Sequence, residues 1–267
     1  MADQTKYTTK LHNKRILIIG ASSGLGYGVA EGVLEHGAKI AIASSNPTRI
    51  ASAASSLAAS YPSKSSNIHS FTVDLANHST IEANLAKLFD DVVAAIGGAD
   101  KKLDHVVYTA GDSLALTKIA DLNIEAVLKA GSLRFFAPLL LAKFIPTCVV
   151  ASPLSSYTIT SGGVGEKPAP DWSIVASYCG GHHAMVRNLA VDLKPVRVNG
   201  VAPGAVDTEL WNLGEEEKKK MFEVLGAKLL TGRVGRVEDV VESYLGILRD
   251  ANMDGTMVRT DGGHTIV

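Results

Sequence analysis

Apolar positions along the chain follow two rhythms. Seven short runs, at 15–19, 39–43, 68–73, 105–109, 157–160, 197–201 and 257–259, are rich in β-branched residues and nearly continuous in apolar character. Runs of that length and density predict strands covered on both faces. Between them, stretches near 24–36, 48–60, 79–96, 121–145, 173–193 and 238–249 read as helices. Strand–helix alternation predicts an α/β fold: a doubly wound parallel seven-stranded sheet, helices on both faces, right-handed crossovers. No repeat, linker or long low-complexity segment interrupts the pattern, so 1–267 reads as a single domain.

The stretch 207–230 fits the alternation poorly. It contains Glu215-Glu216-Glu217-Lys218-Lys219-Lys220, acids N-terminal to bases, an order that supports a helix. A solvated helix face and a substrate lid inserted before the last strand both suit it.

The first strand runs directly into Gly20-Ala21-Ser22-Ser23-Gly24-Leu25-Gly26. Glycines so spaced let the backbone turn tightly and approach a pyrophosphate, while the following helix offers its amides and the positive end of its dipole. A glycine triplet alone is a weak signal. Its position between a strand and a helix in the first βαβ unit makes it a Rossmann-like dinucleotide site. The second strand ends in Ser44-Ser45-Asn46, followed by Arg49. An acid there would bond a ribose 2′-hydroxyl and repel a 2′-phosphate. With hydroxyls, an amide and a guanidinium instead, NADP(H) is the expected cofactor.

Charge and composition narrow the partners. Lys plus Arg total 26 against 27 Asp plus Glu, so there is no basic surplus for nucleic acid. A hydrophobic content of 46% excludes disorder and provides a core. Two cysteines, Cys148 and Cys179, make no disulfide framework and suit a reducing compartment. Residues 1–14 are polar, and the longest apolar run, 135–142, contains Pro138 and lies between Arg134 and Lys143. It is too short to cross a bilayer. A soluble cytoplasmic protein is expected, with no membrane partner and a small-molecule substrate. Cys179 and His182-His183 share a helix without zinc spacing. No metal is expected, and the histidines read as helix-surface or interface residues.

These motifs resemble the short-chain dehydrogenase/reductases over nearly the whole length. The glycine loop is similar to that family's TGxxxGxG, and Asp74-Leu75 to its adenine-contacting pair. Thr109-Ala110-Gly111 resembles the second half of NNAG, with Tyr108 and Thr109 in place of both asparagines. Val198-Asn199-Gly200-Val201-Ala202-Pro203-Gly204, with Val206 and Thr208, resembles the segment that holds the nicotinamide carboxamide. Asp261-Gly262-Gly263 matches the usual C-terminal turn. The resemblance also implies a homo-oligomer, dimer or tetramer.

The family's proton-transfer residues do not carry over. Its Tyr-x-x-x-Lys belongs in the helix ending Arg187-Asn188-Leu189-Ala190-Val191-Asp192-Leu193. Counting back from Leu189 places the lysine position at Cys179 and the tyrosine position at Val175. Tyr178 is three residues late, on another helix face. The asparagine position falls at Arg134, and Ser161 stands at or next to the serine position. Reducing a ketone makes an alkoxide that needs a proton donor. Reducing an iminium ion neutralises an existing charge, for which a nearby carboxylate serves better than a phenol.

Asp171, in Pro168-Ala169-Pro170-Asp171-Trp172, is the candidate carboxylate; an N-cap role is its ordinary alternative. Trp172 suits either a substrate-stacking wall or the core, and Arg134 either a site residue or the structural partner of an acid. An acid, a base and an indole face suit a flat cationic substrate. This set resembles the fungal NADPH-dependent reductase/Diels–Alderases of prenylated indole alkaloid biosynthesis, which lack the usual tetrad and use an Arg and an Asp. That resemblance implies reduction of a cyclic iminium, a zwitterionic oxopiperazine, then intramolecular [4+2] cycloaddition to a bicyclo[2.2.2]diazaoctane. Arg134 and Asp171 would carry the chemistry, with Trp172 and Ser161 beside them. A non-catalytic NADP-binding homologue and an ordinary carbonyl reductase with a displaced acid are the alternatives.

Overall fold

The computed structural model describes residues 3–211 and 213–267; Asn212, inside the unusual 207–230 stretch, lies outside them. The strands are β1 (Arg15–Ile19), β2 (Lys39–Ser44), β3 (Ile68–Thr72), β4 (His105–Tyr108), β5 (Ser156–Thr160), β6 (Arg197–Pro203) and β7 (Met257–Thr260). They form one 7-stranded sheet in the order β3-β2-β1-β4-β5-β6-β7, every pair parallel. Leu17 sits between Ala41 and Val106, which fixes the register at the centre. Double-sided burial holds for the inner strands only. The edge strands β3 and β7 are half-exposed, because each has a neighbour on one side alone.

The helices are α1 (Gly24–Glu35), α2 (Pro47–Ser60), α3 (Ile81–Ile96), α4 (Ile124–Gly131), α5 (Ala137–Leu141), α6 (Ile145–Cys148), α7 (Ser173–Asp192), α8 (Glu215–Gly226) and α9 (Val237–Arg249). α1, α2 and α9 cover one face of the sheet through Val29, Val33, Leu57, Tyr244 and Leu248. α3, α5 and α7 cover the other through Leu85, Phe89, Leu141, Val186 and Leu189. The stretch 207–230 opens with a 3₁₀ turn, Glu209–Trp211, before α8, and Lys218 from the charge run pairs with Asp207. No helix among the described residues is long and apolar enough to cross a membrane.

One expected element is broken. The single helix anticipated over 121–145 is instead α4, a π-helical turn Ser132–Phe136, α5, a 3₁₀ turn Ala142–Phe144 and α6. Pro138 and Pro146 each lack an N–H and crowd the preceding turn, which forbids a continuous ladder. Carbonyls around the break find side-chain donors. Tyr108 donates to Leu133 at 2.6 Å and Tyr157 to Pro138 at 2.7 Å. The Arg134 carbonyl, four residues before Pro138, accepts from His182 Nε2 at 2.9 Å. Burial keeps both phenols well above their ordinary pKa, so they remain donors.

At the opposite end of the strands, Asp104 accepts from Lys14 Nζ at 3.0 Å and from Arg15 Nε and backbone N–H at 2.9 Å each. Burial alone would raise this carboxyl, but the bonds from Arg15 and Lys14 outweigh it and hold it below the usual aspartate value. A depressed pKa contributes stability above the unfolded value, about 3.9, that is lost as pH falls through the folded one. Asp104→Asn should therefore cost about 3 kcal/mol at neutral pH, since it leaves two cations short of their partner. Urea unfolding at pH 7 checks the loss, and the gap to wild type should shrink on acidification below about pH 4.

Candidate active site

The strand order reverses between β1 and β4, and a groove of about 1970 Å³ opens there at the carboxyl ends of the strands. Every residue assigned to the cofactor lines it except Asn46, including Asp74-Leu75, Ala110-Gly111 and Pro203-Gly204. Asn46 is used otherwise: its side chain caps α2, accepting from the Arg49 N–H at 2.9 Å. Gly20 has φ +95°, and a Cβ there would run into the Ala110 backbone. The N-cap residue Ser23 makes no side-chain bond to α1, so the first-turn amides keep no such partner. Unclaimed amides at a helix N-terminus suit a pyrophosphate. Beside them Arg49 Nη2 donates to Ser23 Oγ at 2.9 Å, and Ser44 Oγ donates to Ser22 Oγ at 3.1 Å. The residues fit a dinucleotide.

A narrow inner pocket continues from the groove. Thr109, Ala110, Ser113, Arg134, Thr160 and Ser161 border both. The far wall is one face of α7: Val175, Tyr178, Cys179 and His182, spaced at helical intervals. Val175 and Cys179 thus occupy the wall where the sequence register places a tyrosine and a lysine. Burial pushes the Cys179 thiol up, so it is no ready nucleophile.

Two sequence expectations need correction here. Tyr178 does reach the pocket wall, but its hydroxyl donates to the Val127 carbonyl of α4 at 2.8 Å. His182 is buried rather than on the helix surface, because the broken helix offers it the Arg134 carbonyl. Its other nitrogen, Nδ1, lies 3.1 Å from Ser161 Oγ. Burial lowers the imidazole to about 4, so the ring is neutral at ordinary pH.

Arg134 stands on the π-helical turn at the pocket mouth. Its Nε donates to Asp112 Oδ1 at 3.1 Å, and its Nη2 donates to the Asp112 carbonyl. Asp112 escaped the sequence reading; the signal was an acid directly after Ala110-Gly111, where a cation facing it would need a partner. Gly111 makes the approach possible, since a Cβ there would lie 2.9–3.0 Å from three guanidinium atoms.

Asp171 and Trp172 lie at the start of α7, one turn before Val175, outside the residues that line the pocket and the groove. Asp171 is exposed, has φ +65°, and through its carbonyl accepts the Thr117 N–H at 3.0 Å. The N-cap position belongs to the half-buried Trp172, so the capping alternative for Asp171 does not hold. A left-handed backbone is uncommon for a residue other than glycine, though Asp and Asn tolerate it.

The Gly111 contact is testable by itself. Gly111→Ala meets only the tip of a flexible side chain, so its melting temperature should stay within a few degrees of wild type. The Arg134–Asp112 pair should open, read as loss of a protected Arg134 Nε–H resonance; an unchanged resonance would refute the contact.

The chain matches the SDR-like Rossmann domain family over residues 7–267. It is 42% identical over 266 residues to the short-chain dehydrogenase/reductase fsr5 of Gibberella fujikuroi, covering 98% of each chain. It is 39% identical over 266 residues to the short-chain dehydrogenase/reductase malC of Malbranchea aurantiaca, again over 98% of each. The solved structure of MalC reductase/Diels–Alderase from that organism superposes with a TM-score of 0.90 at 38% identity, over 98% of this chain and 100% of that one. A glycine-loop groove at the switch point, joined to a small-molecule pocket, agrees with these likenesses: the chain belongs to the short-chain dehydrogenase/reductase family and is an oxidoreductase.

Proposed function

We propose that the protein reduces a cyclic iminium intermediate of a fungal indole alkaloid with NADPH, and that an intramolecular [4+2] cycloaddition follows in the same pocket. One observation carries this reading: Val175 and Cys179 stand on the pocket wall where a ketone reductase of this family would hold its proton-donating tyrosine and its lysine. The nicotinamide, when bound, supplies the hydride. Addition of a hydride to a C=N⁺ carbon discharges the cation, so no protein group has to deliver a proton to that centre.

The remaining roles fall to this chain's own side chains. Asp171 and Trp172 stand one turn beyond the lining residues, and on this reading the segment before α7 closes over the bound substrate, bringing the carboxylate to the cation and the indole face beside it. Arg134 turns from Asp112 to an anionic oxygen of the substrate and fixes its orientation. The apolar Val175 wall excludes water. We read 207–230 as a lid, since Thr208 to Trp211 border the groove. Support for the alkaloid substrate comes from the likeness to MalC, whose structure bears the name reductase/Diels–Alderase.

For the cofactor, Ser44, Ser45 and Arg49 sit where a ribose-selecting acid would otherwise repel a 2′-phosphate. Arg49→Ala should weaken NADPH about tenfold or more, the scale of one charge-assisted bond, and leave NADH unchanged. Calorimetric titration with both cofactors decides it.

For the reaction, mixing enzyme and NADPH with a cyclic iminium should show rapid oxidation of the nicotinamide, while simple ketones react poorly. Asp171→Asn keeps a residue that accepts the left-handed backbone but removes the charge. It should bind NADPH normally and lose several kcal/mol of barrier lowering, roughly 10²-fold or more in rate. Wild-type rates in that variant would remove Asp171 from the mechanism.

A further inference from the structure

Ser161 borders both the inner pocket and the groove, so its hydroxyl meets whatever ligand sits between them. A serine hydroxyl has one hydrogen and two lone pairs. Two internal acceptors compete for that hydrogen. The Cys179 carbonyl lies 3.2 Å from Ser161 Oγ, and His182 Nδ1 lies 3.1 Å away. The state of His182 follows from its other nitrogen: Nε2 is 2.9 Å from the Arg134 carbonyl, which only accepts, so Nε2 carries the hydrogen. In the neutral ring Nδ1 is then a bare acceptor facing Ser161. The Cys179 carbonyl lies within α7 and is met by the helix ladder, whereas Nδ1 has no other donor, so the Ser161 hydrogen goes to His182.

We propose that Ser161 serves the reacting ligand as a hydrogen-bond acceptor, with His182 as the positioning residue that sets this polarity. Donation to a ligand carbonyl would leave a buried imidazole nitrogen unpaired, an arrangement that folded proteins avoid. An N–H donor, as on a protonated cyclic amine or an N–H iminium, uses the free lone pairs at no such cost. Two of the neighbouring hydroxyls are committed as donors within the protein. Tyr178 donates to the Val127 carbonyl, and Thr109 Oγ1 donates to the Ile19 carbonyl at 3.0 Å. The position beside Ser161 is thereby set for a ligand group that donates, while Arg134 at the mouth takes one that accepts; this deepens the iminium reading and rests on its placement of the reacting group in this pocket.

The test uses unreactive ligands with the NADP⁺ complex, so it stands whether or not any iminium is turned over. Piperidinium, a cyclic N–H donor, and cyclohexanone, a ring of similar size that only accepts, are titrated into wild type and Ser161→Ala. The variant should lose about tenfold in affinity for piperidinium, one hydrogen bond to a charged group, and stay within about twofold for cyclohexanone. A loss on cyclohexanone, an equal loss on both, or no loss on either would overturn the proposal. A second measurement needs no substitution: ¹⁵N shifts of the His182 ring should show Nε2 protonated and Nδ1 bare. The opposite tautomer would also overturn it.

Discussion

Pro138 has no N–H to give, and the polypeptide from 124 to 148 is organised around that deficit. A buried carbonyl without a donor costs about 1–3 kcal/mol, so each one released from the helical ladder must be met from elsewhere. His182 on α7 meets that of Arg134, four residues before Pro138, and Tyr108 at the end of β4 and Tyr157 on β5 meet the neighbouring carbonyls of Leu133 and Pro138. Each of these bonds ties the broken segment to an element that also bears on the site. The π-helical turn is held from below by the sheet and from the side by α7, and Arg134 is carried to the pocket mouth as a result.

Charge is distributed in the site with the same economy. The guanidinium of Arg134 rests on Asp112, across a glycine that leaves it room. Further in, the wall is formed by a valine, a buried thiol, a phenol whose hydrogen is committed and a neutral imidazole. None of these is a ready acid at neutral pH. That is a poor environment for making an alkoxide and a favourable one for discharging a cation, because nothing nearby competes for the electron pair.

Much of this was legible in the sequence, and the remainder was illegible for definite reasons. Strand positions and the glycine loop could be read because apolar density and glycine spacing are local properties, and the cofactor groove gathers all its assigned residues but Asn46. Asn46 went astray because an amide two residues after Ser44 is equally a good N-cap. The break in the helix over 121–145 was signalled by Pro138 and Pro146, but apolar periodicity continues across it and conceals the change of hand-holds. His182 was misplaced because burial of a histidine depends on a distant carbonyl, which no local pattern records. Val175 and Cys179 line the pocket, and so does Tyr178, because a step of three residues stays on the same helix face.

For the proposed reaction, the pairing of Arg134 with Asp112 makes recognition at the pocket mouth an exchange reaction. An incoming oxygen does not meet a solvated cation; it must displace an oxygen that already sits 3.1 Å away. Net affinity is then the difference between two guanidinium partnerships, and an uncharged carbonyl is a weaker partner than a carboxylate. Neutral molecules of the right shape are left to bind beside an arginine that ignores them, while an anionic or zwitterionic one pulls it across. Under that proposal, the residue that holds Arg134 in reserve sets a threshold on which ligands the arginine engages.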